Sequence, residues 1–211
     1  MIFQNYVVGR LQANCYVVGD EQTQDVMIID PGDNGSELVE QFKQNNWNVT
    51  SVVVTHAHLD HSGAVSDILS NFPKAIFAMH ELDYPLIAQQ APSALTWYGH
   101  EILLPREPDR YLSHGDKIQI GNSIEYKILF TPGHTPGHIC IYGHGQVFTG
   151  DVLFQGSIGR SDFPGSNSEL LINSIKDHLM TLSADTVIYS GHGPETTIGN
   201  EIQFNPFLRS L

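Results

Sequence analysis

The chain has 211 residues, and its hydrophobic fraction of 41% and charged fraction of 16% are ordinary for a globular protein with a substantial core. Ten Lys and Arg against 23 Asp and Glu give a formal net charge of −13, which opposes binding to a phosphate backbone. A nucleic-acid partner is therefore not expected. A membrane partner is not expected either, because no apolar run is long enough to span a bilayer.

The first twenty residues alternate between polar and apolar side chains like strands, and they lack the basic segment and long apolar core of a signal peptide. We therefore expect a cytoplasmic location. Ten short runs rich in β-branched and aromatic residues predict strands. In chain order they are Ile2–Val8, Cys15–Gly19, Val26–Ile29, Ser51–Thr55, Ala75–Ala78, Lys117–Ile120, Glu125–Phe130, His138–Tyr142, Val147–Thr149 and Thr186–Tyr189.

Apolar residues at helical spacing predict three helices, at Ser36–Asn45, Ala64–Asn71 and Ser168–Thr181, with Ser36 and Ser168 as N-caps. The Pro-rich stretch Ala88–Ser113 is predicted to be an irregular surface segment over the functional site. Early and late groups of strands, with helices between and after them, indicate two sheets covered on the outside by helices, a layered α/β architecture.

The two cysteines, Cys15 and Cys140, each lie inside an apolar alternating run. Two separate cysteines in a chain of this size are not typical of a disulfide framework. We predict that both are small buried side chains in strands, without a part in the chemistry.

Four of the predicted strands lead into side chains that can bind metal. The stretch "SVVVTHAHLDH", Ser51–His61, places three histidines and an aspartate within six residues. Loops at strand ends let a rigid sheet present several side chains to one ligand, so we expect these residues to converge. The candidate ligands are His56, His58, Asp60, His61, His134, Asp151 and His192.

The ligand types predict the cofactor. Imidazole nitrogen and carboxylate oxygen suit zinc, iron and manganese, and seven ligands exceed what one tetrahedral ion needs. They fit two divalent metal ions that share a carboxylate, with Zn²⁺ as the first choice and Fe or Mn as alternatives. In an extended segment His56 and His58 point to the same face and can reach one ion, whereas Asp60 and His61 begin a helical turn and can serve another. The other histidines are not predicted to be ligands: His80, His100, His114, His138, His144 and His178.

The motif H-x-H-x-D-H, followed by a distant His, Asp and His, resembles the metallo-β-lactamase superfamily. The early turn "IIDPGD", Ile28–Asp33, matches as well, and the resemblance covers essentially the whole chain. It implies an α/β fold, the αββα four-layer sandwich of two mixed β-sheets flanked by helices, with metals at the edge between the sheets. It also implies a ligand set: His56, His58 and His134 on metal one, Asp60, His61 and His192 on metal two, Asp151 bridging both, and Asp30 as a supporting residue.

The loop after Asp151, Val152–Gly165, is similar to that of the glyoxalase II-like thioesterases, the hydroxyacylglutathione hydrolases. In that family a basic residue of this loop helps to bind the thiol carrier, so Arg160 is the substrate-binding candidate. An ion pair with Asp162 that merely orders the loop is the alternative. The resemblance is closest to the short subgroup, with one domain over residues 1–211 and no C-terminal helical domain, because only 19 residues follow His192.

The implied reaction is hydrolysis of a small-molecule thioester by a hydroxide held on the metals, with Asp60 and Asp151 as catalytic residues. A thiolate with a pKa near about 8.5 can leave unprotonated, whereas an amide nitrogen needs a proton donor. The family's tyrosine after the last metal histidine is missing from "GHGPETTIG", Gly191–Gly199. The thiol carrier, the acyl group and the oligomeric state therefore stay open.

Other functions remain alternatives at this level. A persulfide dioxygenase shares the fold and most motifs but uses one iron, and a lactonase or β-lactamase shares the metals. An RNase Z-like nuclease needs a basic exosite, which the net charge disfavours. A flavodiiron protein has Glu at the position of His58. A non-catalytic metal-binding module would need only the ligands.

Overall fold

Two six-stranded mixed sheets form the centre of the fold in the computed structural model, which describes residues 1–209. The strands of sheet 1, in spatial order, are β1 Ile2–Val8, β2 Ala13–Gly19, β3 Asp25–Ile29, β4 Asn48–Val53, β5 Ile76–Met79 and β6 Arg110–Tyr111. Strands β1 to β3 pair antiparallel, and β3 to β6 pair parallel.

Sheet 2 contains the later strands. They are β7 Lys117–Ile120, β8 Ile124–Phe130, β9 Ile139–Gly143, β10 Gln146–Gly150, β13 Val187–Ser190 and β14 Thr196–Thr197. The spatial order is β14-β13-β10-β9-β8-β7, in which only the β10–β13 pair is parallel. Between β10 and β13 the chain forms a separate small hairpin, β11 Leu153–Phe154 and β12 Ser157–Ile158.

Helices cover both outer faces. Within residues 1–209 they are α1 Gly35–Gln44, α2 Leu59–Ser62, α3 Val65–Asn71, α4 Tyr84–Gln90, α5 Ala94–Tyr98, α6 Ser168–Ser174 and α7 Ile198–Phe204. A 3₁₀ turn, Ala91–Ser93, joins α4 to α5, and a π-helical stretch, Ile175–Leu179, continues α6.

Three apolar clusters separate the layers. Alternation along β4 sends Val52 toward the outer cluster with Phe42 of α1, and Val53 toward the cluster between the sheets. A third cluster places Leu171 of α6 against Ile188 of sheet 2. The layers therefore follow the order helix, sheet, sheet, helix, which confirms the αββα fold class.

The structure corrects both predicted N-caps. Helix α1 begins at Gly35, after Asn34 in a left-handed conformation with φ of 55°, so Ser36 lies inside the helix. A Cβ at position 35 would collide with Asp67 of α3, so the first residue of α1 must be a glycine. At α6 the cap is Asn167, whose side chain accepts a 3.0 Å hydrogen bond from the Leu170 amide.

The prediction of an irregular segment at Ala88–Ser113 was wrong in part. The segment holds the end of α4, the 3₁₀ turn, α5 and the edge strand β6. Pro85 and Pro92 lie in first helical turns, where a missing N–H breaks no helical hydrogen bond, so they do not prevent helix formation. Packing of buried Ala94 and Ile87 then stabilises these short helices.

The two sheets meet at the edge where β4, β10 and β13 end. The Asn14 amide at the start of β2 donates a 2.7 Å hydrogen bond to the Gly191 carbonyl after β13, and its side chain donates to the Ser190 carbonyl at 2.9 Å. These bonds fix sheet 1 to sheet 2 beside His192. Among residues 1–209, no helix combines the length and the apolar character that crossing a membrane requires.

Candidate metal centre

All seven predicted ligands lie together at this edge. Their ligand atoms fall into compact groups whose members are within 4.8 Å of one another. One group is His56, His58, His134 and Asp151, a second is Asp60, His61 and His192, and a third is Asp30, His56 and His61. None of the six other histidines belongs to such a group within residues 1–209.

The first group brings three imidazoles from two loops into contact. His134 Nε2 lies 2.9 Å from His58 Nδ1, and His56 Nε2 lies 3.1 Å from the same atom. His56 and His58 follow β4, and His134 follows β8. Three ring nitrogens at this spacing face a common point, which is the arrangement that a histidine-bound transition metal requires.

The second group joins helix α2 to the loop after β13. His192 Nε2 lies 3.3 Å from both Asp60 Oδ2 and His61 Nε2, and His61 Nε2 lies 3.7 Å from Asp60 Oδ2. Asp60 and His61 lie in the first turn of α2 and belong to this group, whereas His58 belongs to the first group, as their spacing in the sequence predicts.

Asp151 lies between the two groups. Its Oδ1 is 3.5 Å from His61 Nε2, and its Oδ2 is 3.6 Å from His134 Nε2 and 3.7 Å from His192 Nε2, so the carboxylate lies against members of both groups. Oδ1 is buried and has no hydrogen-bond partner among residues 1–209. An orphaned carboxylate oxygen is costly unless a cation or donor satisfies it, so these residues fit a pair of metal ions sharing Asp151.

Hydrogen bonds on the far side of three of the rings set which nitrogen faces the centre. His134 Nδ1 donates to the Arg160 carbonyl at 2.7 Å, and His192 Nδ1 donates to the Leu11 carbonyl at 3.1 Å. His61 Nδ1 lies 3.0 Å from Asp30 Oδ2. A carbonyl or carboxylate oxygen accepts the Nδ1 hydrogen, so Nε2 keeps its lone pair for a metal.

Asp30, predicted as a supporting residue, is buried at the end of β3. Besides the His61 ring it accepts two 2.7 Å hydrogen bonds from Thr55, one from the amide and one from the hydroxyl. The Thr55 amide bonds to Asp30 instead of a strand partner, so β4 ends two residues before the predicted boundary. Asp30 thus holds both the His61 ring and the start of the "HAHLDH" loop in place.

The local charges favour a bound cation. Burial lowers the pKa of His58 to about 4, and it also lowers the pKa of His56, so both rings keep a free lone pair. Burial opposes ionisation of Asp60, but His61 and His192 outweigh it and hold the pKa of Asp60 below its usual range. Burial likewise opposes charge on His61, whereas Asp151 and Asp60 raise its pKa to about 10. A metal ion would replace the proton that these carboxylates attract.

Two glycines leave room for the centre. A Cβ at Gly191, next to His192, would collide with the Asp151 carboxylate and lie 2.6 Å from the His61 ring. A Cβ at Gly159 would collide with the Asp151 carbonyl. Only glycine permits these close approaches, so each is a requirement of the site that its ligand pattern did not reveal.

His138 is a residue whose part in the site the sequence did not indicate. Its ring is fully buried and stacks on His56 at a centroid distance of 4.9 Å. Its Nε2 accepts a 3.1 Å hydrogen bond from the Asp151 amide. His138 therefore positions the backbone of the carboxylate that joins the two groups, and it does so from outside the ligand set.

Arg160 lies on the loop beside the first group. Its guanidinium forms two 2.9 Å hydrogen bonds with Asp162, through Nε and Nη2, and it covers the Phe163 ring at 4.2 Å. The Phe163 ring is edge-on to His58 at 5.5 Å and to His134 at 6.1 Å. The Arg160 Nη1 has no hydrogen-bond partner in the part of the chain that the structure describes.

Known proteins resemble this chain in sequence and in structure. A family model described as "Metallo-beta-lactamase superfamily" matches residues 8–192. "Hydroxyacylglutathione hydrolase GloC" of Haemophilus influenzae is 38% identical over 205 residues, which cover 96% of each chain. A di-iron-bound form of TTHA1623 has a TM-score of 0.87 at 37% identity, covering 97% of this chain and 100% of that one. The BLEG-1 B3 metallo-beta-lactamase has a TM-score of 0.86 at 32% identity, covering 98% and 99%.

Proposed function

The chain belongs to the metallo-β-lactamase superfamily, and from this premise we propose that it is a binuclear metal-dependent hydrolase that cleaves the thioester of a small thiol. The observation that carries the proposal is the position of the Asp151 carboxylate between the two ligand groups, within 3.7 Å of His134, His61 and His192. The proposed cofactor is two divalent ions, Zn²⁺ first, with Fe or Mn as alternatives. The proposed ligands are His56, His58 and His134 for one ion, Asp60, His61 and His192 for the other, and Asp151 for both.

When bound, two divalent ions would supply Lewis acidity, lowering the pKa of water to about 7 and stabilising negative charge on the substrate carbonyl oxygen. The side chains of the protein would hold the ions and the attacking water in a fixed arrangement. Asp60 stays ionised beside His192 and can orient the attacking water by accepting its hydrogen. The Nδ1 hydrogen bonds of His61, His134 and His192 keep their rings from turning.

A thioester suits this site because its leaving group needs little help. A thiolate with a pKa near about 8.5 departs as the anion at neutral pH, so no general acid is required. The buried cysteines take no part, because neither thiol is exposed to a substrate.

The loop beside the first group supports recognition of an anionic carrier thiol. Asp162 and Phe163 hold the Arg160 guanidinium in one orientation, and its Nη1 forms no hydrogen bond with another described residue. We propose that this nitrogen binds a carboxylate of the carrier, while the Phe163 ring covers an apolar part of the substrate. The ordering of the loop by the Arg160–Asp162 pair is the competing interpretation.

A β-lactam or lactone hydrolase is the second candidate, supported by the similarity to BLEG-1 over 98% of this chain. An iron persulfide dioxygenase is the third, and it needs one ion only. Several properties remain predictions from the sequence: a single domain over residues 1–211, a cytoplasmic location, and the lack of nucleic-acid and membrane partners.

A substrate panel on metal-loaded protein tests the proposal. Hydroxyacylglutathione, an uncharged thioester, a lactone and a β-lactam are offered in parallel, and oxygen uptake is followed with glutathione persulfide. We expect release of the thiol from the thioesters, with the highest kcat/KM for the glutathione ester. Faster opening of the β-lactam or lactone would replace the proposal with the second candidate, and oxygen uptake with the third.

A further inference from the structure

Asp83 is a fully buried carboxylate that lies outside the ligand groups. It is 0% exposed and directly precedes α4. Its Oδ2 accepts hydrogen bonds from the Ala57 amide at 2.9 Å and from the Thr135 hydroxyl at 2.6 Å. Its Oδ1 accepts a 2.5 Å hydrogen bond from the Gly137 amide. All three donors belong to loops that carry candidate ligands.

The positions of these donors connect Asp83 to one ligand group. Ala57 stands between His56 and His58, and Thr135 directly follows His134. The two loops come from different sheets, β4 in sheet 1 and β8 in sheet 2. One carboxylate therefore sets the distance between the "HAH" loop and the His134 loop.

The approach is close and requires a glycine. A Cβ at position 137 would lie 2.7 Å from both the amide nitrogen and Oδ1 of Asp83. The carboxylate is buried away from solvent, so losing any of these three hydrogen bonds would be costly, and it is therefore held in place. Buried Ile87 fixes the helix behind it.

We propose that Asp83 is a positioning residue that sets the metal affinity of one of the two proposed sites. It holds the ligand nitrogens of His56, His58 and His134 at the spacing an ion requires, and within residues 1–209 its carboxylate forms no hydrogen bond with Asp60, His61 or His192. The inference rests on the proposed binuclear centre. Loss of Asp83 should weaken the binding of one ion and leave the binding of the other unchanged. A general loss of stability would weaken the binding of both.

Asp20 offers a control for Asp83. It directly follows β2, whose opposite end pairs with His192. It is 3% exposed and accepts hydrogen bonds from the Gln22 amide at 2.8 Å, the Asn122 amide at 3.0 Å and the Ser123 hydroxyl at 3.3 Å. Like Asp83, it joins two loops of different sheets beside a glycine, here Gly121, that has no room for a Cβ. Asp20→Asn therefore removes a comparable buried link far from the ligands.

The test is a chelator titration of the zinc-loaded protein, with circular dichroism to confirm the fold. The wild type should release two ions. Asp83→Asn places an amide donor against backbone donors, so one ion should bind about ten- to a hundredfold more weakly, the usual effect of losing a residue that orients metal ligands. The remaining ion should bind as in the wild type, and Asp20→Asn should retain both affinities.

Wild-type affinity for both ions in Asp83→Asn, or an equal loss of both in Asp83→Asn and Asp20→Asn, would overturn the inference. If Asp83→Asn does not fold, Thr135→Val removes one of the three hydrogen bonds with little change in shape. This variant should lower the affinity for the same ion several-fold. Unchanged affinities for both ions would also overturn the inference. A wild type that binds fewer than two ions would instead defeat the proposed function on which it rests.

Discussion

Asp151 is the residue on which both ligand groups depend. Its carboxylate lies within 3.7 Å of histidines from both groups, whereas His192 contributes to one group only. In the proposed centre, removing Asp151 would take a ligand from both ions and remove one of the carboxylates beside these imidazoles.

Asp151→Ala should therefore reduce the metal content more than His192→Ala does. Elemental analysis after reconstitution should give two ions per chain in the wild type, about one in His192→Ala and fewer than one in Asp151→Ala. Two ions bound to folded Asp151→Ala protein would show that Asp151 does not join the groups.

The cysteines should be dispensable for turnover. Cys15 and Cys140 are both fully buried, and burial raises the pKa of the Cys140 thiol to about 12 and that of Cys15 further above its usual range. A buried protonated thiol is a poor nucleophile. The double variant Cys15→Ala and Cys140→Ala should keep kcat/KM within about twofold while its unfolding free energy falls by about 1–2 kcal/mol. Loss of turnover in this variant, with circular dichroism unchanged, would mean that a thiol takes part.

Arg160 should affect substrate binding according to charge. Its guanidinium is solvent-exposed, so the effect of Arg160→Ala on KM for an anionic thioester should be modest, about fivefold, with kcat little changed. KM for an uncharged thioester should not change. Asp162→Asn is the control, because it removes the partner and leaves the cation. An equal rise in KM for both substrates, in both variants, would mean that the pair only orders the loop.

At the scale of elements, the spacing of apolar residues predicted the longer strands and helices. Strands β1 and β7 have the predicted boundaries, and helices α1 and α3 agree within one residue at each end. Exposed and buried side chains alternate along β7, as expected for a strand with two distinct faces, whereas β1 is an edge strand whose side chains are mostly exposed.

The short elements were missed because distant contacts stabilise them. Helix α7 and the β11–β12 hairpin have little pattern of their own, and they are joined through Glu201, which is 1% exposed. Its carboxylate accepts hydrogen bonds from the Thr196 hydroxyl at 2.7 Å and from the Gly156 amide at 2.8 Å. A bond between residues 156 and 201 cannot be recognised from local sequence.

Glu201→Gln should destabilise the protein and disturb the loop after Asp151. An amide nitrogen in place of a carboxylate oxygen faces donors, which should lower the free energy of unfolding by about 2 kcal/mol. Urea denaturation measures this change, and Glu40→Gln on the exposed face of α1 should change it by less than about 0.5 kcal/mol. We expect metal content to stay at the wild-type value, and an unchanged urea midpoint would contradict the link between α7 and the hairpin.

At the scale of the whole molecule, the sandwich brings loops from both sheets to one edge. The clustering of the seven candidate ligands was predictable, because metal coordination limits residue type and because the segments that carry them follow strands in the sequence. Asp83, His138 and Glu201 were not predictable, because their hydrogen-bond partners lie 54, 13 and 45 residues away and ordinary residue types occupy those positions. The sequence thus predicts what can bind a metal, and the fold supplies what holds those residues in place.

The central claim is that thioester hydrolysis requires two metal ions held by this edge. The most direct measurement is hydroxyacylglutathione hydrolysis by chelator-stripped protein as Zn²⁺ is added in known amounts. We predict that the rate rises until two ions are bound per chain and then stays constant. Full activity with one ion per chain, or no hydrolysis with two ions bound, would contradict the claim.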